Sequence, residues 1–230
     1  VTTEAGGGTD FVARIITQKL APAIGQQGIV ENRGGSVIIP AGVVSQASPD
    51  GYIIYAGGTS LVINPTLTGQ VQYDPHKSFE LVSLMSFTPF ILHVNADFPA
   101  RNMAELIAYV KANPGKISYA SPGAGTSLHL VMEDLSQRLN LNWVHVPFKG
   151  GTAVVGEVMA GRVDLIFETM TLTLPHVKSG KLRALAVTSR EPASFLPDVP
   201  AAIQTVPGFE FQSWLGIAAP RSEEHTSELQ

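Results

Sequence analysis

Apolar residues along the chain recur at helical spacing in some stretches and in short extended runs in others. After the loop GGGTD, the segment FVARIITQKLAPAIG carries apolar residues at helical spacing, namely Phe11, Val12, Ile15, Ile16 and Leu20. This spacing predicts a helix that opens directly on glycines, with Thr9 as N-cap and Gly25 as stop. A helix-like AGVVSQA and the turn SPDG then lead to apolar segments at Tyr52–Ala56 and from Glu80 to Val94, which predict strands.

The next hundred residues alternate regularly between helical and extended patterns. Helices are predicted at 103–111, 128–139, 153–160 and around LPHVKSG, and strands at 117–120, 143–146, 163–168 and 182–189. This alternation predicts an α/β fold with a doubly wound, mostly parallel sheet. The segment NADFP and a later proline-rich passage are interpreted as two crossings between lobes. We therefore expect one lobe from residues 1–95 and 196–220, and a second from 96–195.

Composition narrows the class of protein. The 230 residues are 44% hydrophobic and only 15% charged, with 22 glycines, as is typical of a folded globular protein. The net charge is −4 without any run of Lys or Arg, which excludes nucleic acid as a partner. No apolar run reaches the length of a membrane span. Without cysteine, the chain has no disulfide, thiolate metal site or Cys nucleophile.

Both ends of the chain are unusual. The start, VTTEAGGGTD, lacks a secretion signal and the strand that would feed its first glycine loop, so we expect residues to be missing before Val1. The last ten residues, RSEEHTSELQ at 221–230, resemble the translation of a sequencing adapter. We expect this tail to be artefactual and without function, and the fold to be truncated at its C-terminal end.

Three loops share one design, in which glycines and a Ser or Thr lead into the first turn of a helix. They lie at Gly6–Asp10, Ser121–Ser127 and Gly150–Thr152. In an open α/β sheet such loops follow the carboxyl ends of strands, where the N–H groups of helix N-termini favour anions. Each loop alone is also an ordinary helix cap. Their agreement predicts an anionic ligand that requires no metal and no arginine clamp.

Other chemistries fit less well. GGGTDF lacks the third glycine of the dinucleotide fingerprint, and no phosphate-binding GxxxxGK[ST] occurs. The six histidines show no metal-ligand spacing, and there is no GxSxG nucleophile elbow. We therefore assign no catalytic residue, no metal site and no cofactor. Lys149, beside the third loop, is interpreted as an exposed lysine more readily than as a partner of the ligand.

Glu168 ends the predicted strand VDLIFE and is a candidate for ligand selection. A carboxylate at the carboxyl end of this strand would repel an anion and attract an ammonium group. The hypothesis is that Glu168 selects an amino acid over a plain dicarboxylate. The alternative is that Glu168 or Thr169 caps the segment that follows.

Several of these motifs, in the same order, resemble the Bug-type (Bordetella uptake gene) receptors of tripartite tricarboxylate transporters. The resemblance spans most of residues 3–220. It rests on GGGTD with Arg14 in the following helix, VENR, ASPDGY, NPGKISYASPGAGTSLHL, VPFKGG, AGRVDL and SGKLRALAVTS. The chain departs from the family at GGSVIIPAG, after Asn32 and Arg33, where many members are richer in glycine.

This resemblance implies a two-lobed periplasmic-binding-protein (Venus flytrap) fold. It further implies a monomeric periplasmic receptor, not an enzyme, that binds a small carboxylate in the interlobe cleft and delivers it to an integral-membrane permease. A dicarboxylate, tricarboxylate, amino acid or aromatic acid is compatible. The ligand contacts that the resemblance implies are Gly7, Gly8, Thr9, Asp10, Gly123, Gly125, Thr126, Ser127, Gly150, Gly151 and Thr152, with Thr59 and Ser60 as weaker candidates. Ser121 and Glu168 join them as candidates from the loop and strand patterns above.

Two other classes of protein share this architecture and stay open. An α/β enzyme would need a catalytic pair, such as His129 with a perturbed carboxylate, and turnover of the bound acid. The effector-binding lobe of a transcriptional regulator would need a helix-turn-helix before residue 1 in the full gene.

Overall fold

The structure of the chain is a computed structural model that describes residues 1–34 and 38–222. Part of the departure at GGSVIIPAG and most of the adapter-like tail therefore lie outside the described residues. In chain order the elements are α1 (Gly8–Ile24), α2 (Ile38–Ser45), β1 (Tyr55–Gly58), α3 (Ser60–Thr68), β2 (Phe79–Pro89), β3 (Ile91–Asn95), α4 (Met103–Ala112), β4 (Ser118–Ser121), α5 (Ser127–Leu139), β5 (Val144–Pro147), α6 (Gly151–Met159), β6 (Leu165–Glu168), α7 (Met170–Lys178), β7 (Leu182–Val187), a short 3-10 helix (Ala202–Gln204) and β8 (Gln212–Pro220).

The chain divides into two compact units. Unit 1 comprises residues 1–87 and the segment from Trp214 onward, and unit 2 comprises Thr88–Ser213. Both boundaries differ from the expected crossings after residues 95 and 195. The first moves because β3 pairs with β6 and β7 of unit 2. The second moves because Val206 and Phe209 are buried in the core of unit 2. The crossings therefore run through β2 and β8.

Unit 2 is built on a five-stranded sheet of order β5-β4-β6-β3-β7. Strand β4 is parallel to β5 and β6, whereas β3 is antiparallel to both β6 and β7. Four of the five described strands therefore point the same way, and β3 is reversed. This confirms the α/β class, and the predicted mostly parallel sheet holds for every strand of this unit except β3.

Helices cover both faces of this sheet. On one face, α4 and α5 bury Leu106 and Met132 in a cluster that also contains Phe167 of β6. On the other face, α6 buries Val154 beside Ile166, the neighbour of Phe167 in the same strand. Because successive strand residues point to opposite faces, a strand covered on both sides is apolar throughout. This double cover explains why LIFE is entirely buried.

Unit 1 contains a smaller sheet of order β1-β8-β2. Strand β8 re-enters the unit after the second crossing and lies antiparallel to β1, from Tyr55 opposite Ala218 to Gly58 opposite Leu215. The expectation of a mostly parallel sheet is therefore wrong for this pair. The sequence patterns also predicted neither α3 nor β8. None of the described helices, in either unit, has the length and apolar character needed to cross a membrane.

Two local predictions in unit 1 also need correction. Helix α1 begins at Gly8, because the carbonyl of Gly7 accepts the first helical hydrogen bond from the N–H of Phe11 at 3.0 Å. Thr9 therefore lies inside the helix and is not its N-cap. Gly25 does end the helix, in the left-handed region at φ 65°. The strand predicted from Tyr52 begins only at Tyr55, where pairing with β8 starts.

Candidate functional site

The α5 loop, Ser121–Ser127, joins the carboxyl end of β4 to the start of α5. Thr126 is the N-cap, and its Oγ1 accepts a hydrogen bond from His129 N at 3.2 Å and donates to Gly123 O at 2.8 Å. Gly123 and Gly125 adopt φ 142° and 80°, which side-chain-bearing residues rarely do. The helix start leaves the N–H groups of Ser127 and Leu128 without intrahelical acceptors. This loop therefore has the donor geometry of an anion site.

The α6 loop, Gly150–Thr152, is joined to the α5 loop by backbone hydrogen bonds. Phe148 N donates to Ser121 O at 2.9 Å, and Gly150 N donates to Pro122 O at 3.2 Å. Strands β4 and β5, which lead into these loops, are parallel. The structure thus brings together two of the three glycine loops that the sequence singled out, at the carboxyl ends of neighbouring strands.

Glu168 lies directly against the α6 loop. A Cβ added to Gly151 would lie 2.8 Å from Glu168 Oε2, so this carboxylate packs closely over the first residue of α6 and would have to shift if Gly151 carried a side chain. Oε1 of Glu168 accepts hydrogen bonds from Thr169 N at 2.7 Å and Thr169 Oγ1 at 3.2 Å, and the residue is 3% exposed. Helix N-termini favour such a negative charge. Thr169 is the N-cap residue of α7 but makes no side-chain cap hydrogen bond, so capping by Glu168 and its selection of an ammonium group both stay predictions.

The α1 loop, Gly6–Asp10, belongs to unit 1, and its carboxylate faces inward. Asp10 is 4% exposed and accepts hydrogen bonds from Gly6 N at 2.9 Å, Arg14 Nε at 3.1 Å and Asn32 Nδ2 at 2.8 Å. Burial alone would raise the pKa of Asp10, but these hydrogen bonds and the Arg14 charge outweigh it and hold that pKa below its usual range. The carboxylate therefore stays charged and holds the loop, while Gly8 and Thr9 carry the helix-start N–H groups.

Thr59 and Ser60 lie at the start of α3, directly after β1. The carbonyl of Thr59 accepts from Val62 N at 3.2 Å and Ile63 N at 3.1 Å, and the carbonyl of Ser60 accepts from Asn64 Nδ2. Their hydroxyls stay candidates for ligand contact. Lys149 is exposed in the loop before α6, as its alternative interpretation expected.

Sequence reasoning missed a cluster beneath the α5 loop that consists of Tyr119, His129, Glu133 and His145. Ser121, which was predicted to contact ligand, turns inward to this cluster and is fully buried, with its Oγ 2.7 Å from His145 Nε2. Burial lowers the pKa of His145, the charge of His129 lowers it further, and Glu133 acts in the opposite direction. The signal in the sequence was that His129 lies three residues after the α5 cap, Thr126, and that His145 lies five residues before the α6 loop.

The cluster does not have the form of a hydrolase site or a metal centre. Ser121 and His145 are close enough for a nucleophile and base, but a fully buried Ser121 Oγ offers no approach for a substrate carbonyl. Among residues 1–34 and 38–222, no group of three or more His, Cys, Asp or Glu side chains is placed to hold a metal ion. The donors available at the α5 loop are backbone N–H groups and hydroxyls, groups that can hydrogen-bond an anion.

Comparisons in sequence give the same family that the motifs resemble. Residues 12–227 match the family described as the tripartite tricarboxylate transporter family receptor. A relative from Pseudomonas sp. (strain P51), a UPF0065 protein from the tcbD-tcbE intergenic region, is 38% identical over 219 residues. The match covers 94% of this chain but only 65% of that relative. The chain thus spans slightly less than two thirds of the length of this curated relative.

Solved structures of similar proteins share the fold closely. The periplasmic binding protein BugD is 36% identical with a TM-score of 0.91, over 96% of this chain and 76% of that one. R. palustris Rpa4515 with adipate is 30% identical with a TM-score of 0.92, over 100% and 80%. MatC from Rhodopseudomonas palustris with bound malate is 30% identical with a TM-score of 0.87, over 96% and 78%. The chain therefore belongs to the tripartite tricarboxylate transporter receptor family, whose members include the Bug-type periplasmic binding proteins.

Proposed function

We propose that this chain is the ligand-capturing part of a periplasmic solute receptor that binds a small carboxylate and passes it to an integral-membrane permease without catalysing a reaction. The observation that carries the proposal is the pair of hydrogen-bonded glycine loops before α5 and α6. Related receptors of known structure hold adipate and malate, both of which are dicarboxylates. We expect the ligand of this chain to belong to the same chemical class.

Within this pair, the α5 loop is the proposed anchor for a ligand carboxylate. The start of α6 already has the carboxylate of Glu168 packed over Gly151, so a second negative charge there would be repelled. The start of α5 has a neutral cap, Thr126, and no acidic residue in its first turn. One helix N-terminus contributes about 0.3–1 kcal/mol to the binding of a charge, and hydroxyl donors such as that of Ser127 add to it. In unit 1, Gly7, Gly8, Thr9, Thr59 and Ser60 stay predictions of the sequence.

A screen of small carboxylates tests the function directly. The panel consists of adipate, malate, citrate, aspartate, nicotinate and the corresponding amides, each measured by thermal shift and by calorimetry. A ligand at a hundred times its Kd adds about 2.7 kcal/mol to the stability, which raises the melting temperature by several degrees. We expect acids, and not their amides, to bind and to be recovered unchanged. Turnover of a bound acid would favour an enzyme, and failure of all acids to bind would overturn the proposal.

A pair of glycine variants tests the assignment to the α5 loop. Gly125 and Gly180 have similar positive φ angles, 80° and 72°, and both lie in unit 2, but Gly180 is outside the loops. Alanine at either position strains the backbone by about 1–2 kcal/mol. We expect Gly125→Ala to weaken binding of the preferred carboxylate about tenfold or more, and Gly180→Ala to leave its Kd unchanged. Equal affinities in the two variants would remove the α5 loop from the site.

A further inference from the structure

Three aromatic side chains form a column directly beneath the α5 loop. The ring of Tyr119 on β4 stacks on His145 of β5 with centroids 4.8 Å apart and planes 12° apart. The ring of His145 in turn stacks on His129 of α5, at 4.3 Å and 24°. At the side of the column, Tyr119 donates a hydrogen bond from its hydroxyl to Glu133 of α5. The two histidines are therefore packed face to face, beside one carboxylate.

Both histidines of this column make hydrogen bonds to the α5 loop. Nε2 of His145 lies 2.7 Å from Ser121 Oγ, and the same Oγ accepts a hydrogen bond from Gly123 N at 3.2 Å. Nδ1 of His129 accepts a long hydrogen bond from Gly125 N at 3.5 Å. Gly125 is thus connected to His129 directly, and Gly123 is connected to His145 through the hydroxyl of Ser121.

These contacts indicate which ring nitrogen of His129 carries the proton in this structure. Because Gly125 N–H donates to Nδ1 of His129, that nitrogen carries no proton, and the proton of the neutral ring is on Nε2. Nε2 of His129 lies 3.8 Å from Glu133 Oε1. If His129 gains a proton, Nδ1 becomes a donor and can no longer accept from Gly125. Gly125 N–H is then released for another acceptor, and a positive charge lies within reach of the loop.

We propose, building on the proposed function, that His129 and His145 are positioning residues of the α5 loop, and that an anionic ligand binds there together with a proton taken up by this histidine pair. The stacked rings hold one added proton more easily than two, since like charges at this distance repel. A bound carboxylate favours the protonated pair and receives the released Gly125 N–H.

The charged and titratable groups that face the pair come from each element packed around it. They are Tyr119 from β4 and Glu133 from α5, besides the two histidines themselves. Burial lowers the pKa of His145, which agrees with a neutral His145 in the absence of ligand. Asp134, the next carboxylate on α5, is paired with Arg138. Glu133 and the ligand are both negative, so together they favour uptake of a proton by the histidine pair when the ligand binds.

Calorimetry with adipate and malate tests the linkage. Titrations in two buffers of different ionisation enthalpy measure the protons taken up on binding. From about pH 8 to about pH 6.5, where histidines titrate, we expect the wild-type Kd to fall, at most about tenfold per pH unit for one linked proton. His129→Asn keeps an acceptor for Gly125 N–H but cannot titrate, so its Kd should depend on pH less strongly than that of the wild type. His129→Ala should bind more weakly at every pH. His76→Asn, at an exposed histidine of unit 1, is the control and should behave as wild type.

The outcomes separate this inference from the function on which it rests. Binding of adipate or malate with no proton uptake and a flat pH profile would overturn the histidine linkage and leave the receptor function standing. A pH profile that persists in His129→Asn and in the matching His145→Gln would assign the proton to another group and also overturn the linkage. If no carboxylate of the panel binds at any pH, both proposals fail. As a ligand-free check, nitrogen-15 NMR of the imidazoles should find the proton of His129 on Nε2, and a proton on Nδ1 would contradict the inference.

Discussion

The two units of the chain differ sharply in how completely they bury their apolar side chains. Among residues 1–34 and 38–222, unit 2 has a cluster of 22 buried residues on one face of its sheet and two smaller clusters elsewhere, whereas the cluster in unit 1 has seven. Of the 16 large hydrophobic side chains that are exposed among the described residues, 15 lie in unit 1, and the exception is Val144. The contrast teaches that the helical spacing of apolar residues predicts the face of an element, but does not predict what covers that face.

Helix α1 is the clearest example of this contrast. Its predicted apolar residues include Phe11, Ile15 and Leu20, which are 53%, 43% and 41% exposed, and its buried residues are Asp10 and Ala13. The solved relatives share the fold of this chain, and the match covers 76% of BugD and 80% of Rpa4515. Helix α5, with similar periodicity, buries Leu128, Val131, Met132 and Leu135.

The strongest test of the contrast compares one phenylalanine from each unit. Phe167 of β6 is fully buried against Phe209, with ring centroids 6.1 Å apart. Phe167→Ala should lower the free energy of unfolding of unit 2 by about 3–5 kcal/mol, because it removes a core ring and leaves a cavity. Phe11→Ala should change the free energy of unfolding of unit 1 by less than about 0.5 kcal/mol.

Urea unfolding measures each unit separately, because the two tryptophans lie in different units. Trp143 is in unit 2 and Trp214 in unit 1, so Trp214→Phe and Trp143→Phe backgrounds each leave one reporter. A loss for Phe11→Ala as large as that for Phe167→Ala would mean that α1 is buried in solution, and the contrast between the units would be wrong.

Sequence patterns predicted unit 2 better than unit 1 for a physical reason. From α4 to β7 helices and strands alternate along the chain, and neighbouring elements such as α5 and β4, or α6 and β6, pack together, so local periodicity carries much of the information. Strand β8 was missed because its partner β1 is far away in sequence and pairs Tyr55 with Ala218. The segment before it is rich in proline, which concealed the strand.

The candidate site shows the same limit. The glycine loops were found because positive φ angles and helix starts leave a local signature in the sequence. The sequence did not reveal which side chains near these loops turn inward, because residues distant in the chain determine their orientation. Asp10 is turned inward by Asn32, Ser121 contacts His145, and Glu168 occupies the space left by Gly151.

A second prediction concerns acid, to which the units should respond over different ranges of pH. His93 on β3 is fully buried, its ring nitrogens have no hydrogen-bond partner among the described residues, and burial lowers its pKa to about 3. The unfolded chain takes up this proton below about pH 6.5, so unit 2 loses stability as the pH falls from there toward 3. At pH 5 the loss should be about 2 kcal/mol relative to neutral pH. In unit 1, Asp10 has a lowered pKa, so its contribution is lost only below the usual range of an aspartate.

The variant that isolates this effect is His93→Leu. Because leucine does not titrate, the difference in unfolding free energy of unit 2 between about pH 7.5 and pH 5 should shrink by about 2 kcal/mol. The quantity to compare is the difference between the two pH values, since leucine also changes packing at both. An unchanged difference would show that His93 is protonated in the folded protein or that water reaches it.

The smallest expected effect on stability concerns isolated and clustered apolar residues on the surface. Val82 of β2 and Val144 of β5 are 60% and 47% exposed, so threonine at either position should change the free energy of unfolding by less than about 0.5 kcal/mol.

The surroundings of these two valines differ, because Val82 lies on an edge strand together with exposed Leu81, Leu84 and Phe87. Exposed apolar edge strands promote association between chains. Light scattering at rising concentration should therefore show less association for Val82→Thr and no change for Val144→Thr. If both variants associate as the wild type does, the exposed apolar residues of β2 do not promote association, and the two units differ only in how many apolar side chains they bury.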